Sequence, residues 1–443
     1  MTTLAILGGS PVREKPFPAY RTIGAEEKAA VADVLDSGVL SRFQGAWHEA
    51  FYGGPKVREF EAQWAALCDV KRAVAVNSCT SGLYAAVGAA GVEPGDEVIV
   101  SPYTMSASAT AAIAFNAVPV FADIDPQTYC ISAETIAPKI TDRTRAIIVV
   151  HIFGQCADMD PIMDLARQHD LVVIEDAAQA PLARYKDRPA GSLGHMGVFS
   201  LNYHKHIHSG EGGVVTTNDD RFAERTQLIR NHAEAVVGSK GTTDLANMVG
   251  FNYRMGEIEA AIALCQIAKA PGLISRRKAN VGLLEKRLAD VPGLTMPHVG
   301  AAGDHVYYVH TIDYDRTATG IPRSLFVKAI KAELPSMELR ENEGSLVSEG
   351  YVRPLYMMPM YQELRAFGTK GFPFVGGDRD TAPDYSPGLC PHAERAHHER
   401  VILHELMHAA MTEDDMSTVA DAFEKVAEQL PALRDLNAQE TST

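Results

Sequence analysis

The stretch that decides the fold is FSLNYHKHIHSGEGG, residues 199–213. It opens with the apolar residues of a strand, passes through a polar turn that carries Lys205, and leaves through glycines into a second apolar run. A lysine held between two strands, rather than on a solvated helix face, suits Schiff-base chemistry. Glycines let the backbone approach a ligand closely. Taken alone, a lysine in a polar turn is more often a surface residue, so its role depends on what surrounds it.

Short apolar runs alternate with helical patterns on both sides of this stretch. Many of their residues are β-branched, which is typical of strands. Runs this short, separated by helices, predict an α/β fold with a largely parallel sheet covered on both faces. The runs lie at residues 73–77, 97–101, 118–122, 146–150, 171–175, 197–201 and 213–217.

The pattern changes in the last part of the chain. Beyond residue 275 we expect a helix at residues 280–289, a strand at residues 306–314, an irregular stretch at residues 341–389 and an amphipathic helix at residues 413–429. Thr412, with Asp415 three residues later, is the expected N-terminal cap of that last helix. A chain of 443 residues is too long for one ordinary small domain. We therefore predict a large domain at residues 1–275, including an N-terminal arm, and a smaller α+β domain at residues 276–443.

A second candidate site is NSCTSG, residues 77–82. It joins the end of a predicted strand to the start of a helix through small hydroxyl residues, among them Thr80 and Ser81. Free backbone N–H groups and the helix dipole favour an anion at such a place, so the segment predicts a phosphate cup. The alternative is that these hydroxyls only cap the helix.

A third candidate is Asp176, which follows the apolar run at residues 171–175. Ligands of open α/β sheets bind outside the carboxyl ends of the strands, where this residue is expected. A buried carboxylate requires a cationic partner, and a protonated pyridine nitrogen would serve. The alternative is that Asp176 caps the next helix.

Composition excludes several classes of protein. The formal net charge is −15, from 56 acidic and 41 basic residues, which argues against a nucleic-acid partner. The 6 cysteines form no Cys-x-x-Cys pair and suggest neither a disulfide framework nor a zinc site. No apolar run is long enough to predict a membrane span. We expect a cytoplasmic protein with reduced thiols.

The three sites occur in the order phosphate cup, aspartate, lysine, and several further segments match recognisable sequence motifs. They are PGDEVIV at residues 94–100, PVFADID at 119–125, HIFGQ at 151–155, GFNYRM at 250–255 and CPHAE at 390–394. Together they resemble the DegT/StrS family of sugar or cyclitol aminotransferases, which are fold-type I enzymes dependent on pyridoxal 5′-phosphate (PLP). The resemblance covers nearly the whole chain, from Ile6 to about Lys425.

The resemblance implies a role for each matching residue. Lys205 matches the lysine that holds PLP as a Schiff base, and Asp176 matches the partner of the pyridine nitrogen. Gln179 matches a residue near the ring hydroxyl. The residues that match phosphate contacts are Thr80, Ser81 and Ser200.

Two positions concern the ring face and the partner subunit. The family usually places an aromatic residue over the PLP ring, whereas this chain has Met105, whose thioether can also pack on a ring. Asn252 matches a residue that reaches the cofactor phosphate of the neighbouring subunit. The resemblance therefore implies a homodimer with shared active sites.

The expected function is a ping-pong transfer of an amino group from glutamate or glutamine to a keto-sugar, often nucleotide-linked, or to a keto-cyclitol. Residues 4–13 resemble members that use glutamine. One alternative is a PLP-dependent sugar dehydratase, in which His replaces the lysine; another is a non-catalytic PLP-binding regulator. His204 and His206 flank Lys205 and are candidates for proton transfer.

A zinc-protease pattern also occurs, because His404, Glu405 and His408 match His-Glu-x-x-His. That motif requires a helix, so that both histidines share one face. Residues 401–406 are predicted as a strand, on which positions four apart lie about 13 Å from each other. We therefore expect no metal site here.

Overall fold

The protein is described by a computed structural model that covers residues 3–300, 303–376 and 381–440. Residues 377–380, which belong to the irregular stretch 341–389, lie outside the described residues. The strands are β1 (Arg72–Val76), β2 (Glu97–Val100), β3 (Val118–Phe121), β4 (Thr144–Val150), β5 (Val172–Asp176), β6 (Arg184–Tyr185), β7 (Arg188–Pro189), β8 (Met196–Ser200), β9 (Gly213–Thr217), β10 (Leu294–Thr295), β11 (His310–Tyr314), β12 (Val347–Glu349) and β13 (Val401–His404).

Helices cover both faces of the sheet and form much of the last third of the chain. They are α1 (Ala25–Ser37), α2 (Pro55–Leu67), α3 (Cys79–Ala89), α4 (Ser106–Ala114), α5 (Ala133–Ile136), α6 (Met159–Gln168), α7 (Asp220–Arg230), α8 (Ala233–Lys240), α9 (Glu257–Leu288), α10 (Arg316–Thr319), α11 (Arg323–Glu333), α12 (Pro359–Gln362), α13 (Pro391–Arg395), α14 (Glu413–Glu428) and α15 (Leu430–Glu440).

The central sheet has seven strands in the order β1-β9-β8-β5-β4-β2-β3. The pairs β2–β3, β2–β4, β4–β5 and β5–β8 are parallel, whereas β9 runs antiparallel to both β1 and β8. Every residue of β2, β8 and β9 is buried, as expected for strands covered on both faces. The predicted mostly parallel α/β fold is confirmed.

A second, antiparallel sheet has the order β10-β11-β13-β12. It packs with α11 and α14 around its own apolar cluster, which includes Val281, Ile312, Phe326, Ile402 and Phe423. Thr412 caps α14 by accepting a hydrogen bond from the Asp415 amide, as its sequence predicts. The division at residue 275 remains a prediction, and α9 runs through that position without a break.

Helix α9 is longer than the sequence predicts. Pro271 has no N–H to donate and is unfavourable inside a helix, yet the helix continues on both sides of it. Packing of α9 against α1, α2 and α14 compensates for the missing bond. Burial against other elements therefore overrides the local preference.

By length and composition alone, α9 is long and apolar enough to cross a membrane, and it is the one such helix in the described ranges. It buries Arg277 and Asn280 inside the protein, and Asn280 donates hydrogen bonds to the carbonyls of Met407 and His408. Buried polar groups of this kind are costly in lipid. We infer that α9 is a core helix, which supports the expectation of no membrane span.

The predicted strand at residues 306–314 is only partly confirmed, because β11 begins at His310. Residues 306–309 instead form an irregular segment with a left-handed residue, Tyr307, at φ 51°. The amides of Val306 and Tyr308 donate to the carbonyls of Gly154 and Phe153, respectively. The segment is therefore tied to the central-sheet region instead of extending the second sheet.

Candidate active site

Lys205 lies in the turn between β8 and β9, where the sequence places it. The residue is 8% exposed. Its amide donates to the carbonyl of Asn202, which closes the turn. Among the hydrogen bonds and ion pairs of the described residues none involves Nζ, and the nearest ring is Tyr308, with its centroid 4.1 Å from that nitrogen. A buried amine without a carboxylate partner is unusual, which makes Lys205 a candidate for a nucleophilic role.

Asp176 is the last residue of β5, at the carboxyl edge of the sheet. Ser108 Oγ donates to Asp176 Oδ2 at 2.7 Å, and the Ala178 amide donates to Oδ1 at 3.2 Å. Burial raises the pKa of this carboxyl, while the Ser108 bond and the nearby Lys205 and His151 oppose that rise. The carboxylate is therefore positioned to face a cationic group.

A buried His–Glu pair supports the strand ends next to this carboxylate. His151 Nδ1 accepts from the Ala157 amide at 3.2 Å, so a neutral ring carries its proton on Nε2, which donates to Glu175 Oε2 at 2.8 Å. The Glu175 carboxylate also accepts from the amides of Gly191, Leu193 and Gly194. These bonds fix the segment between β7 and β8, and no pattern in the sequence indicates them.

The segment predicted as a phosphate cup lies at the start of α3. Ser78 Oγ accepts from the Ser81 amide at 3.1 Å, and Ser81 Oγ donates to Asn77 Oδ1 at 2.6 Å. The amides of Cys79 and Thr80 precede the first intrahelical bond and remain available to an anion. Ser78 is thus the cap of α3, Ser81 is held against it, and the Thr80 side chain is exposed.

Gly213 allows the cup and the Lys205 turn to come together. A Cβ on this glycine would lie 2.6 Å from the Ser78 carbonyl carbon and 2.7 Å from the Cys79 nitrogen. Both contacts are to backbone, so a side chain could be admitted only by moving the start of α3. Cys79, at the start of α3, lies close to both Asp176 and Lys205. Burial and Asp176 raise the pKa of its thiol, while Lys205 lowers it.

Gln179 connects the site to elements far away in sequence. Its Oε1 accepts from the Phe153 amide at 2.7 Å, and its Nε2 donates to the Tyr351 hydroxyl at 3.1 Å. The Tyr351 amide in turn donates to the Tyr103 hydroxyl at 2.8 Å. These bonds set the orientation of the Gln179 amide and bring Tyr351 to the site.

The remaining predicted residues lie at the edge of this arrangement. Ser200 is buried at the end of β8, where its Oγ accepts from the Asn202 amide at 3.3 Å. Met105 precedes α4 and is 53% exposed. Asn252 is exposed, and its carbonyl accepts from Asn77 Nδ2, so it lies beside the cup of its own chain.

Sequence reasoning missed Ser108, Tyr308 and Tyr351. Ser108 is one of several small residues in an Ala-rich helix, and nothing in its neighbours indicates that it bonds Asp176. Tyr308 lies in the segment predicted as a strand, and Tyr351 lies in the stretch predicted as irregular.

Together, these three features suit a ligand that carries an anionic group, a cationic group and a carbonyl carbon. The amides of α3 accept an anion, Asp176 faces a cation, and Lys205 offers a primary amine for a carbonyl carbon. They come from a helix start, a strand end and a turn, all on the carboxyl edge of the sheet. This is where open α/β sheets bind ligands.

The zinc-protease pattern is not on a helix. β13 ends at His404, and the following residues form turns. His404 Nε2 lies 2.7 Å from His310 Nδ1, and Glu405 pairs with Arg340. Across the described part of the chain, no group of three His, Cys, Asp or Glu side chains is arranged to hold a metal ion.

Comparison with known proteins gives the family. The sequence model of the DegT/DnrJ/EryC1/StrS aminotransferase family matches residues 21–373. The chain belongs to this family. The aminotransferase is 35% identical to GDP-perosamine synthase of Caulobacter vibrioides over 84% of this chain and 90% of that protein.

Two further relatives cover almost the whole aminotransferase. L-glutamine:2-deoxy-scyllo-inosose aminotransferase of Micromonospora echinospora is 33% identical over 96% of this chain and 98% of that protein. The solved structure of DesI with its TDP-sugar product superposes with a TM-score of 0.79 at 29% identity, covering 99% of each chain. The predicted family, fold class and enzyme class are therefore confirmed.

Proposed function

We propose that this aminotransferase uses PLP to move an amino group from glutamine or glutamate to a keto-cyclitol or keto-sugar. The observation that carries the proposal is the buried Lys205 amine, which has no partner among the described residues and lies in the same site as Asp176 and the α3 amides. The relatives supply the substrate classes, since they include enzymes named for inosose, perosamine and TDP-sugar chemistry.

The residues present fit PLP. The α3 amides, with Thr80, Ser81 and Ser200, would hold its phosphate, and Asp176 would pair with its pyridine nitrogen. Gln179 would lie beside the ring hydroxyl and Met105 over the ring. When bound, PLP supplies an electron sink that stabilises negative charge on the α-carbon of the substrate.

The protein supplies position and proton transfer. Burial raises the pKa of Asp176, and the hydrogen bond from Ser108 opposes that rise by favouring the ionised form, which is the form that can face a positive nitrogen. Lys205 Nζ, when free, would move a proton from the α-carbon of the amino donor to the cofactor in the first half-reaction and would move a proton in the reverse direction in the second. Two half-reactions at one site give ping-pong kinetics.

The flanking histidines differ in their suitability for proton transfer. His206 is fully buried and donates from Nε2 to the Val306 carbonyl, and burial lowers its pKa far below the ordinary value. His204 is exposed beside Lys205. His206 is therefore a neutral structural contact to the segment 306–309, and Lys205 remains the proposed base.

We further propose a cytoplasmic homodimer in which Asn252 reaches the partner's cofactor phosphate. Its exposure is consistent with that role, as are exposed apolar side chains at Leu40, Trp47, Leu245 and Val249. The division into residues 1–275 and 276–443 also remains a proposal. A dehydratase or a regulator has no specific observation in its favour, because the lysine is present.

Borohydride reduction tests the cofactor assignment. After reduction of the PLP-loaded protein, peptide mass spectrometry is expected to find the cofactor mass on the peptide that contains Lys205. Labelling at another lysine, such as the exposed Lys28 or Lys71, would remove Lys205 from its role.

A further inference from the structure

A cleft of about 230 Å³ opens next to the Lys205 turn. Its walls come from the N-terminal segment, from α9, from the segment 306–309 and from the turn after β13. Tyr308 belongs to both the cleft and the surroundings of Lys205, because its ring contacts Lys205 Nζ. The cleft therefore adjoins the reacting amine, and its polar groups decide what it binds.

Arg277 is the first of these polar groups. It is 6% exposed, and no carboxylate in the described residues lies within ion-pair distance. Its Nη1 donates to the carbonyls of Tyr307 and Tyr308 at 2.9 and 3.1 Å. Those carbonyls satisfy hydrogen bonds but leave the positive charge without a counter-ion. A buried charge of this kind is costly unless an anion joins it.

His408 is the second group, and it is 2% exposed. Burial and Arg277 lower its pKa to about 3, so its ring is neutral. Nδ1 accepts from the Ala410 amide at 3.3 Å, which places the ring proton on Nε2. The Pro18 carbonyl lies near the ring, but Nε2 forms no hydrogen bond of acceptable geometry within the described residues. A buried N–H donor is thus left without an acceptor.

Tyr20 is the third group. Its ring centroid lies 5.2 Å from that of His408 and 5.4 Å from the Arg277 guanidinium carbon. Burial raises the pKa of its hydroxyl, so the O–H proton is retained. The hydroxyl lies beside Arg277 and adds another donor to the same wall.

The other charges of the cleft are already balanced. Arg340 is hydrogen-bonded to the carboxylates of Glu343 and Glu405. Glu338 is exposed at the rim. The uncompensated cation of the cleft is therefore Arg277, and it lies with the donors of His408 and Tyr20.

We propose that Arg277, His408 and Tyr20 form the binding site for a carboxylate of the amino-acid substrate, an assignment that rests on the proposed function. A carboxylate has two oxygens with several acceptor positions, so it can bind a guanidinium and two further donors at once. It would also neutralise the buried charge. The ring of Tyr308 lies between this site and Lys205 Nζ. A separation of one aromatic ring suits the far end of a five-carbon amino acid.

Glutarate is the probe that tests the assignment, because it carries two carboxylates on a five-carbon chain, as glutamate does, but has no amino group to react. We expect it to bind the PLP-loaded protein in calorimetric titration and to compete with the amino donor. Arg277→Gln should raise its Kd by roughly tenfold to a hundredfold, the effect of losing a charged hydrogen bond. Arg276→Gln makes the same change at the exposed neighbouring residue and should leave Kd unaltered.

His408→Phe separates binding from structure, since it keeps an aromatic ring against Tyr20 and leaves the Arg277 bonds to carbonyls intact. We expect it to weaken glutarate and to raise the donor KM more than it lowers kcat. Failure of glutarate to bind wild-type protein, or a Kd unchanged in both variants, would overturn the carboxylate site while amino transfer by the wild type preserves the proposed function. Loss of transfer in the wild type itself would instead refute the proposed function.

Discussion

Lys205 Nζ lies 4.1 Å from the centroid of the Tyr308 ring. Lys205 belongs to the turn between β8 and β9 of the central sheet, whereas Tyr308 lies in the segment between β10 and β11 of the second sheet. The ring is held in place by the Tyr308 amide, which donates to the Phe153 carbonyl, and by Arg277, which donates to the Tyr308 carbonyl. The Lys205 amine is therefore positioned by a segment from the last third of the chain. This contact connects the segment before β11 to the candidate site at the edge of the central sheet.

Tyr308 should act through its ring rather than its hydroxyl. A cation–π contact contributes about 0.5–2 kcal/mol, so Tyr308→Leu should lower kcat by roughly two- to thirtyfold. Tyr308→Phe keeps the ring and should remain within twofold of wild type. Steady-state kinetics of both variants check this, and equal losses in the two would show that the hydroxyl matters instead.

Ser108 should set the acid limit of activity. Burial raises the pKa of Asp176, and the Ser108 hydrogen bond favours the ionised form and lowers it. Removing that bond in Ser108→Ala raises the pKa further, so the carboxylate becomes protonated at a higher pH. The acidic limb of the kcat/KM profile is expected to move to higher pH, with the alkaline limb unchanged. A profile that does not move would show that the rate does not depend on the ionisation of Asp176.

Gly213 should control cofactor affinity. Gly213→Ala places a Cβ against the backbone of Ser78 and Cys79, so it displaces the α3 amides that we propose to hold the cofactor phosphate. We expect the Kd for PLP to rise by about tenfold or more, since hydrogen bonds to a charged group are lost. Gly272→Ala in α9 meets open space and is the matched control. Similar affinities in both variants would argue against the cup.

Buried histidines should make the protein acid-sensitive. Burial lowers the pKa of His305 and His408 to about 3, and those of His206 and His404 also lie well below the ordinary value. The unfolded chain binds protons at these residues below about pH 6.5 while the folded protein does not. Stability is therefore full above that pH and falls as the pH decreases toward the folded values.

Urea denaturation at pH 7, 6 and 5 measures this effect. Each buried histidine adds a slope of up to about 1.4 kcal/mol per pH unit below pH 6.5. His408→Phe should reduce the slope by about one such contribution, whereas the exposed His398→Gln should not. A stability that is flat between pH 7 and pH 5 would contradict the neutral state of these rings.

Local sequence was sufficient where one short segment forms the feature. The Lys205 turn, the cup before α3 and Asp176 at the end of β5 each depend on a strand and the residues that follow it, and the structure has them there. The central sheet follows from the same runs. These features combine local preference with burial on both faces, which a periodic pattern records.

The rest depends on contacts between distant residues. Ser108 bonds Asp176 only because α4 and β5 meet in the fold. Residues 306–309 look like a strand, but backbone bonds to Gly154 and Phe153 pull them away from β11. Pro271 suggests a helix end that packing overrides. No local pattern records such pairings, so the sequence alone could not place Tyr308 or Arg277.

The visible absorption spectrum of the PLP-loaded protein, taken before and after addition of glutamine or glutamate, tests the central claim most directly. We predict a visible band that bleaches with one of the two donors, and no such wild-type band or bleaching cycle in Lys205→Ala. A loaded wild-type protein without the band, or a Lys205→Ala variant that behaves like wild type, would contradict the role of Lys205 and with it the proposed function.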